Sequence, residues 1–126
     1  MAKTPLHWDG AKIVVDPNAL AAGTTAYSGS LTLSGVAPSI HDVTLTGPLT
    51  LTFSAGSAAQ DGQVVRCRFR QDGTGGRVLT LGTGIRVGTD IPTVTLSTGA
   101  NKMDYLAFQY CHADAKYDLI SYVRGF

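Results

Sequence analysis

The sequence has 126 residues and a net charge of +1, with 44% hydrophobic and 15% charged residues. A chain of this length fits one domain, and this hydrophobic content excludes a wholly disordered chain. The balanced charge gives no support to nucleic-acid or membrane binding through bulk electrostatics. Glu is absent while Gly and Thr reach 15 residues each, a composition that suits strands and turns better than helices.

The N-terminal part of the chain has the weakest pattern. We interpret residues 1–12 as an arm or edge strand in which Trp8 can be buried, and we predict that residues 13–126 form a single β-sandwich domain. One short helical turn is expected near residues 17–22, because Pro17 suits the first position of a helix. The apolar runs of the chain are too short to cross a bilayer.

From residue 31 onward, apolar side chains alternate with polar ones at a period of two, as in Leu49–Phe53, Val65–Phe69 and Leu106–Tyr110. This is the pattern of strands with one buried face. Clusters of Gly, Asp and Ser separate about eight or nine such runs. We therefore predict an all-β fold, an antiparallel β-sandwich similar to a jelly roll.

Short internal similarities occur along the chain. The segment Gly29–Leu33 is similar to Gly47–Leu51, and Val78–Leu81 is similar in outline to Val94–Leu96. These similarities do not share a single period. We interpret them as convergent strand chemistry rather than as a solenoid repeat.

No arrangement of residues points to catalysis, to a metal or to a cofactor. The histidines are scattered along the chain: His7, His41 and His112. Cys111 adjoins His112, but the further ligands of a metal site are missing. Asp114 and Asp118 are close in sequence, and we interpret them as turn residues rather than as the paired acids of a glycosidase. We expect no enzyme activity, no metal and no cofactor.

Two glycine-rich stretches, residues 72–77 and 82–88, invite comparison with phosphate-binding loops. Neither is followed by the helical pattern that such a loop requires, so we expect no nucleotide site. The two cysteines, Cys67 and Cys111, lie far apart in strand-like runs. A bond between them requires facing strands, and the sequence leaves that question open.

The most distinctive polar feature is the series Arg66, Arg68 and Arg70, with Arg77 across the next turn. Alternate residues of a strand share one face in steps of about 7 Å, so the first three form a basic row. This row suits docking to an acidic protein, a phosphate backbone or an anionic glycan, and it equally suits a solvated face. No aromatic residue interleaves the arginines, which argues against nucleic acid.

Aromatic residues are concentrated in the last quarter of the chain, where the core or a subunit interface accounts for most of them. Tyrosines on an outer face would instead be free to meet a partner. Our candidate partner-binding residues are Arg66, Arg68, Arg70, Arg77, Trp8, Tyr105 and Tyr117.

The segment from residue 62 to residue 77, with its motif Gln-Asp-Gly-Thr-Gly-Gly-Arg at residues 71–77, resembles a segment of tailed-bacteriophage virion structural proteins. The resemblance extends over residues 43–126. In those proteins the module forms the C-terminal part of tail fibres and other appendages. Here residues 81–84 replace the Trp-bearing stretch that is usual after the Thr-Gly-Gly-Arg strand.

The resemblance implies a location in the virion. Our leading hypothesis is a capsid decoration protein that binds the outer head lattice as a homotrimer, with the major capsid protein or another virion protein as its partner. The alternative is a tail-fibre or tail-tip module that binds a host-surface glycan. A small cell-wall hydrolase is a third interpretation, weakened because no catalytic pair can be named. We expect neither nucleic acid nor membrane as a partner.

Overall fold

The computed structural model describes residues 6–9, 12–15, 23–34, 40–54 and 59–126, the first two ranges as backbone alone. The expected helical turn at residues 17–22 lies outside the described residues. None of the described ranges contains a helix long and apolar enough to cross a membrane. The strands are β1 (Leu6–Asp9), β2 (Lys12–Val15), β3 (Gly23–Thr24), β4 (Ser30–Ser34), β5 (Ile40–Leu45), β6 (Leu49–Ser54), β7 (Val64–Gln71), β8 (Leu79–Leu81), β9 (Ile85–Arg86), β10 (Met103–Cys111) and β11 (Lys116–Val123).

The strands form three sheets. β1 and β2 pair with each other in an antiparallel two-stranded sheet, and the predicted boundary between residues 12 and 13 falls within β2. A six-stranded sheet has the order β3-β5-β7-β10-β11-β9, and a three-stranded sheet has the order β4-β6-β8. The all-β prediction is confirmed. The division into an arm and a single domain stays a prediction.

Consecutive strands from β3 to β9 alternate between the six-stranded and the three-stranded sheet, so the chain winds as a coil. Within each sheet, successive turns of the coil pair in parallel: β3 with β5, β5 with β7, β4 with β6 and β6 with β8. The β10–β11 hairpin is inserted between β7 and β9, antiparallel to β7. The pairing therefore differs from the antiparallel sandwich that we expected, because a strand reached after a full turn of the chain runs in the same direction as its neighbour.

Two of the similar segments found in the sequence, Gly29–Leu33 and Gly47–Leu51, reach into the paired strands β4 and β6, whereas Val94–Leu96 lies in no strand. Leu31 of β4 lies opposite Leu51 of β6, which lies opposite Leu81 of β8, and Leu33 lies opposite Phe53. The sequence similarity instead aligns Leu31 with Leu49, two residues away from this register. The similar segments are therefore not equivalent positions in successive turns, and their interpretation as convergent strand chemistry stays a prediction.

The core lies between the two larger sheets, and aromatic side chains from both sheets contact one another in it. The ring of Phe53 on β6 stacks on Tyr117 of β11 with centroids 4.5 Å apart, and it meets Phe108 of β10 edge-on at 5.0 Å. Phe53 is 4% exposed and Phe108 is completely buried. The three-stranded sheet is therefore held to the six-stranded sheet by direct contact between large apolar rings.

We predict that Phe53→Ala lowers the free energy of unfolding by about 3–5 kcal/mol, as is usual when a buried phenylalanine leaves a cavity. Urea denaturation followed by circular dichroism measures the change. The matched control is Thr50→Ala, an exposed residue of the same strand, for which we expect a loss below about 1 kcal/mol. Similar losses in the two variants would contradict a core held between the sheets.

Candidate partner-binding surface

The glycine-rich motif at residues 71–77 forms a closed loop after β7. The Gln71 side chain, 1% exposed, donates from Nε2 to the carbonyls of Arg77 and Ser97, each at 2.9 Å. Its Oε1 accepts a hydrogen bond from the Arg77 backbone N–H at 2.9 Å. The buried amide is therefore fully bonded and fixes both ends of the loop to the core.

Asp72 organises the interior of the same loop. Its Oδ1 accepts hydrogen bonds from the backbone N–H groups of Thr74 and Gly75 at 3.1 and 3.0 Å, and Arg77 Nη2 donates to Oδ2 at 2.9 Å. The hydrogen bond from Arg77, with those from Gly75 and Thr74, holds the pKa of Asp72 below its ordinary value. Gly75 has a φ of +75°, and a Cβ there would collide with the carbonyl of Thr98.

Arg77 is therefore occupied within the loop. Its guanidinium is paired with Asp72, and its side chain is 26% exposed. It lies apart from the other three candidate arginines, which project from β7 itself. The motif that we noticed in the sequence forms a turn. Hydrogen bonds of the Gln71, Asp72 and Arg77 side chains stabilise that turn.

Arg66, Arg68 and Arg70, here called the arginine ridge, lie on the outer face of β7, as the alternation predicts. Arg68 Nη2 is 3.1 Å from Asp42 Oδ2 on the neighbouring strand β5. Arg70 Nη1 donates to the Asn101 carbonyl at 3.4 Å. Arg66 is exposed, and its side chain makes no hydrogen bond or ion pair within the residues that the structure describes.

An aromatic pair lies beside the arginine ridge. Tyr105 on β10 is opposite Arg68 in register, and its ring meets that of Phe126 edge-on with centroids 5.3 Å apart. Phe126 is 61% exposed, and its backbone exchanges two hydrogen bonds with Met103, at 2.9 and 3.0 Å. Sequence reasoning did not select Phe126, because its position depends on the return of the chain through Gly125, which has a φ of +90°.

The remaining candidate residues are Tyr117 and Trp8, and neither is described as part of this outer face. Tyr117 is 1% exposed and lies in the core, stacked on Phe53 and 4.8 Å from the ring of Tyr110. β11 turns Tyr117 inward together with Leu119, so within this chain it packs in the core, and its role as a partner contact stays a prediction. Trp8 belongs to β1, but its side chain lies outside the described part of the chain.

The carboxylates that we compared with glycosidase acids are joined by one guanidinium. Arg86 donates from Nε and Nη2 to Asp118 at 2.7 and 2.9 Å, and from Nη1 to Asp114 at 2.9 Å. The hydrogen bond from Arg86 also holds the pKa of Asp114 below its ordinary value. Cys111 Sγ lies 3.6 Å from Asp114 Oδ2.

Both cysteines are free thiols, Cys67 in the core and Cys111 half-buried, and burial raises the pKa of Cys67 to about 12. His41 is 4% exposed, its Nδ1 lies 3.1 Å from Thr25 Oγ1, and burial lowers its pKa. Among the residues that the structure describes, no group of three or more His, Cys or Asp side chains is arranged to hold a metal ion.

The described part of the chain is thus an all-β coil that presents a row of arginines on its outer face. The family described as "Putative phage tail fibre C-terminal domain" matches residues 27–113. These residues include β4 to β10, and the match covers more than half of the chain. The chain therefore belongs to this family of phage tail-fibre domains. Neither a search of curated proteins nor a search of solved structures found a match.

Membership of this family identifies a phage structural protein and associates it with the virion. It also favours one of our two hypotheses for the place of the protein in the particle. A tail-fibre domain fits the family better than a capsid decoration protein does.

We predict that Asp72→Asn destabilises the protein at neutral pH by removing the charge that Arg77 binds, while an oxygen for Thr74 and Gly75 is retained. Because the folded-state pKa of Asp72 is lowered, its charged form stabilises the fold above the ordinary value of 3.8. That contribution is lost as the pH falls through the lowered pKa. The difference in unfolding free energy between wild type and variant should therefore shrink below about pH 4.

Urea denaturation at a series of pH values measures this difference. The matched control is Asp90→Asn, since Asp90 is exposed and has no hydrogen bond or ion pair within the described ranges. The control should follow the wild-type protein at each pH. A gap between wild type and Asp72→Asn that stays constant from neutral to acidic pH would contradict the role of the charge.

Proposed function

We propose that this chain is the host-facing domain of a phage tail fibre and that it binds a glycan on the bacterial surface. The single observation that carries this proposal is the family match over residues 27–113, which includes most of both larger sheets. A fibre domain needs a rigid scaffold with free outer faces. The two-sheet coil, with its aromatic core and its bonded loop at residues 71–77, fits that requirement.

We propose further that the domain binds without catalysing a reaction. Asp114 and Asp118 share Arg86, and Asp114, whose pKa this partner lowers, is a poor general acid. Asp104 is 1% exposed and accepts hydrogen bonds from Ser97 and from the Gly125 backbone. These bonds give each of the three carboxylates a structural partner.

We expect the purified chain to compete with the phage for host cells. Cells incubated with the chain and then challenged with phage should adsorb fewer particles, because the binding sites on the surface are already occupied. Mild periodate oxidation of the cells should abolish binding of the labelled chain, whereas protease treatment should leave it intact. The heat-unfolded chain is the control for non-specific adhesion.

Two results would contradict the proposal. Antibodies against the chain could label the head of intact particles and leave the tail unlabelled. Alternatively, the folded chain could bind host cells no better than the unfolded control does. Binding that is removed by protease and kept after periodate would retain the fibre role but replace the glycan with a protein receptor.

We also propose that the chain associates as a homotrimer. Val78 and Val87 are 62% and 36% exposed, and Val78 adjoins β8, which forms an edge of the three-stranded sheet. Exposed apolar side chains beside an unpaired strand edge are typical of surfaces that are covered in an assembly.

Light scattering should then give about three times the chain mass of 13.2 kDa. A monomer at micromolar concentration would contradict the proposal, and Val78→Asp should dissociate the trimer.

A further inference from the structure

We propose that the arginine ridge and the Tyr105–Phe126 pair together bind an anionic glycan, a saccharide that bears phosphate or carboxylate groups. This inference rests on the proposed function and names the chemistry of the ligand and the surface that recognises it. The ridge lies on the outer face of the six-stranded sheet, and Tyr105 adjoins it on the next strand.

The outer face at the ridge has unbalanced positive charge. Asp42 is opposite Arg68 in register and is bonded to it. Arg66 has no partner among the described residues, and Arg70 reaches the carbonyl of Asn101 and the sulfur of Met103, which are both uncharged. Arg66 and Arg70 therefore stand two steps of about 7 Å apart on the same face, each without a carboxylate partner, and both can bind an anion.

The described carboxylates of a second copy offer the ridge little free charge. Asp72, Asp114 and Asp118 are paired with arginines. Asp104 is buried, and Asp61 accepts a hydrogen bond from the His112 backbone. Of the exposed ones, Asp90 alone is without a partner in the described ranges, and one carboxylate cannot complement the ridge. The described residues therefore favour a different molecule as the partner.

A saccharide with acidic groups satisfies both features of this surface. The guanidinium group binds phosphate or carboxylate through two parallel hydrogen bonds. The rings of Tyr105 and Phe126 offer apolar surface to the C–H face of a sugar, and the tyrosine hydroxyl can bond its polar groups. An acidic protein segment would bind the arginines. It would leave the ring of Phe126, a residue that is 61% exposed, without a defined partner.

Calorimetric titration of the full chain tests this inference with two probes. One is a phosphorylated lipopolysaccharide core oligosaccharide, compared with the same oligosaccharide after phosphatase treatment. The other is polygalacturonate, compared with its methyl-esterified form. We expect binding of at least one charged probe to be about tenfold or more tighter than that of its neutral counterpart, and to weaken as salt rises.

Variants then locate the site. Arg66→Gln should weaken binding of that probe about tenfold and reduce its salt dependence, because one charged contact is lost. Arg66 has no partner in the described part, so this variant should keep the stability of the wild type. Arg124→Gln is the matched control, since Arg124 bonds the Thr95 carbonyl away from the ridge. Phe126→Ala should weaken binding while the salt dependence stays unchanged.

Two outcomes would overturn the inference. Arg66→Gln could bind the charged probes as tightly as the Arg124→Gln control does. The wild-type chain could instead bind polyglutamate and neither charged saccharide, which would assign the ridge to an acidic protein. The adsorption experiment tests the proposed function separately. If the wild-type chain and Arg66→Gln block phage adsorption equally well, the fibre role is kept and this binding site is rejected.

Discussion

The fold depends on apolar contact between two sheets that are built by the same winding chain. Each turn of the coil gives one strand to each larger sheet, and neither sheet can bury its apolar face without the other. Phe53 is an example of this dependence, since its ring contacts Tyr117 and Phe108 of the opposite sheet. The same packing determines what is displayed outside. The arginine ridge faces outward because the alternate residues of β7, Val65 to Phe69, are held in the core.

The loop at residues 71–77 has a structural role. Its distinctive residues, Gln71 and Asp72, are engaged in hydrogen bonds that close the loop. The motif noticed in the sequence therefore shapes the chain, and it contains no information about a ligand. In our proposal, a ligand is recognised by outer-face residues such as Arg66, which the fold presents but does not require.

Local backbone geometry explains which predictions succeeded. The alternation of side chains within one strand predicted the strand at β7 and the common face of its arginines, because both depend on neighbours two residues apart. The strand order and the parallel pairing depend on contacts far apart in sequence, and composition does not encode them. The sequence could not place Tyr117 in the core, because a tyrosine suits the core and an interface equally well. Phe126 was missed because its pairing with Met103 follows from the register of β10 and β11.

The β10–β11 hairpin also affects how copies of the domain behave when crowded. In the described part of the chain, the six-stranded sheet ends on both sides in strands of two residues, β3 and β9. β9 pairs with β11 only at Tyr117 and Asp118, so the rest of β11 has no strand partner on that side in the described part of the chain. The long strands β7 and β10 are paired on both sides, and their backbone hydrogen bonds are already used. In fibres packed closely around one particle, β7 and β10 are thus protected from pairing with a neighbouring copy.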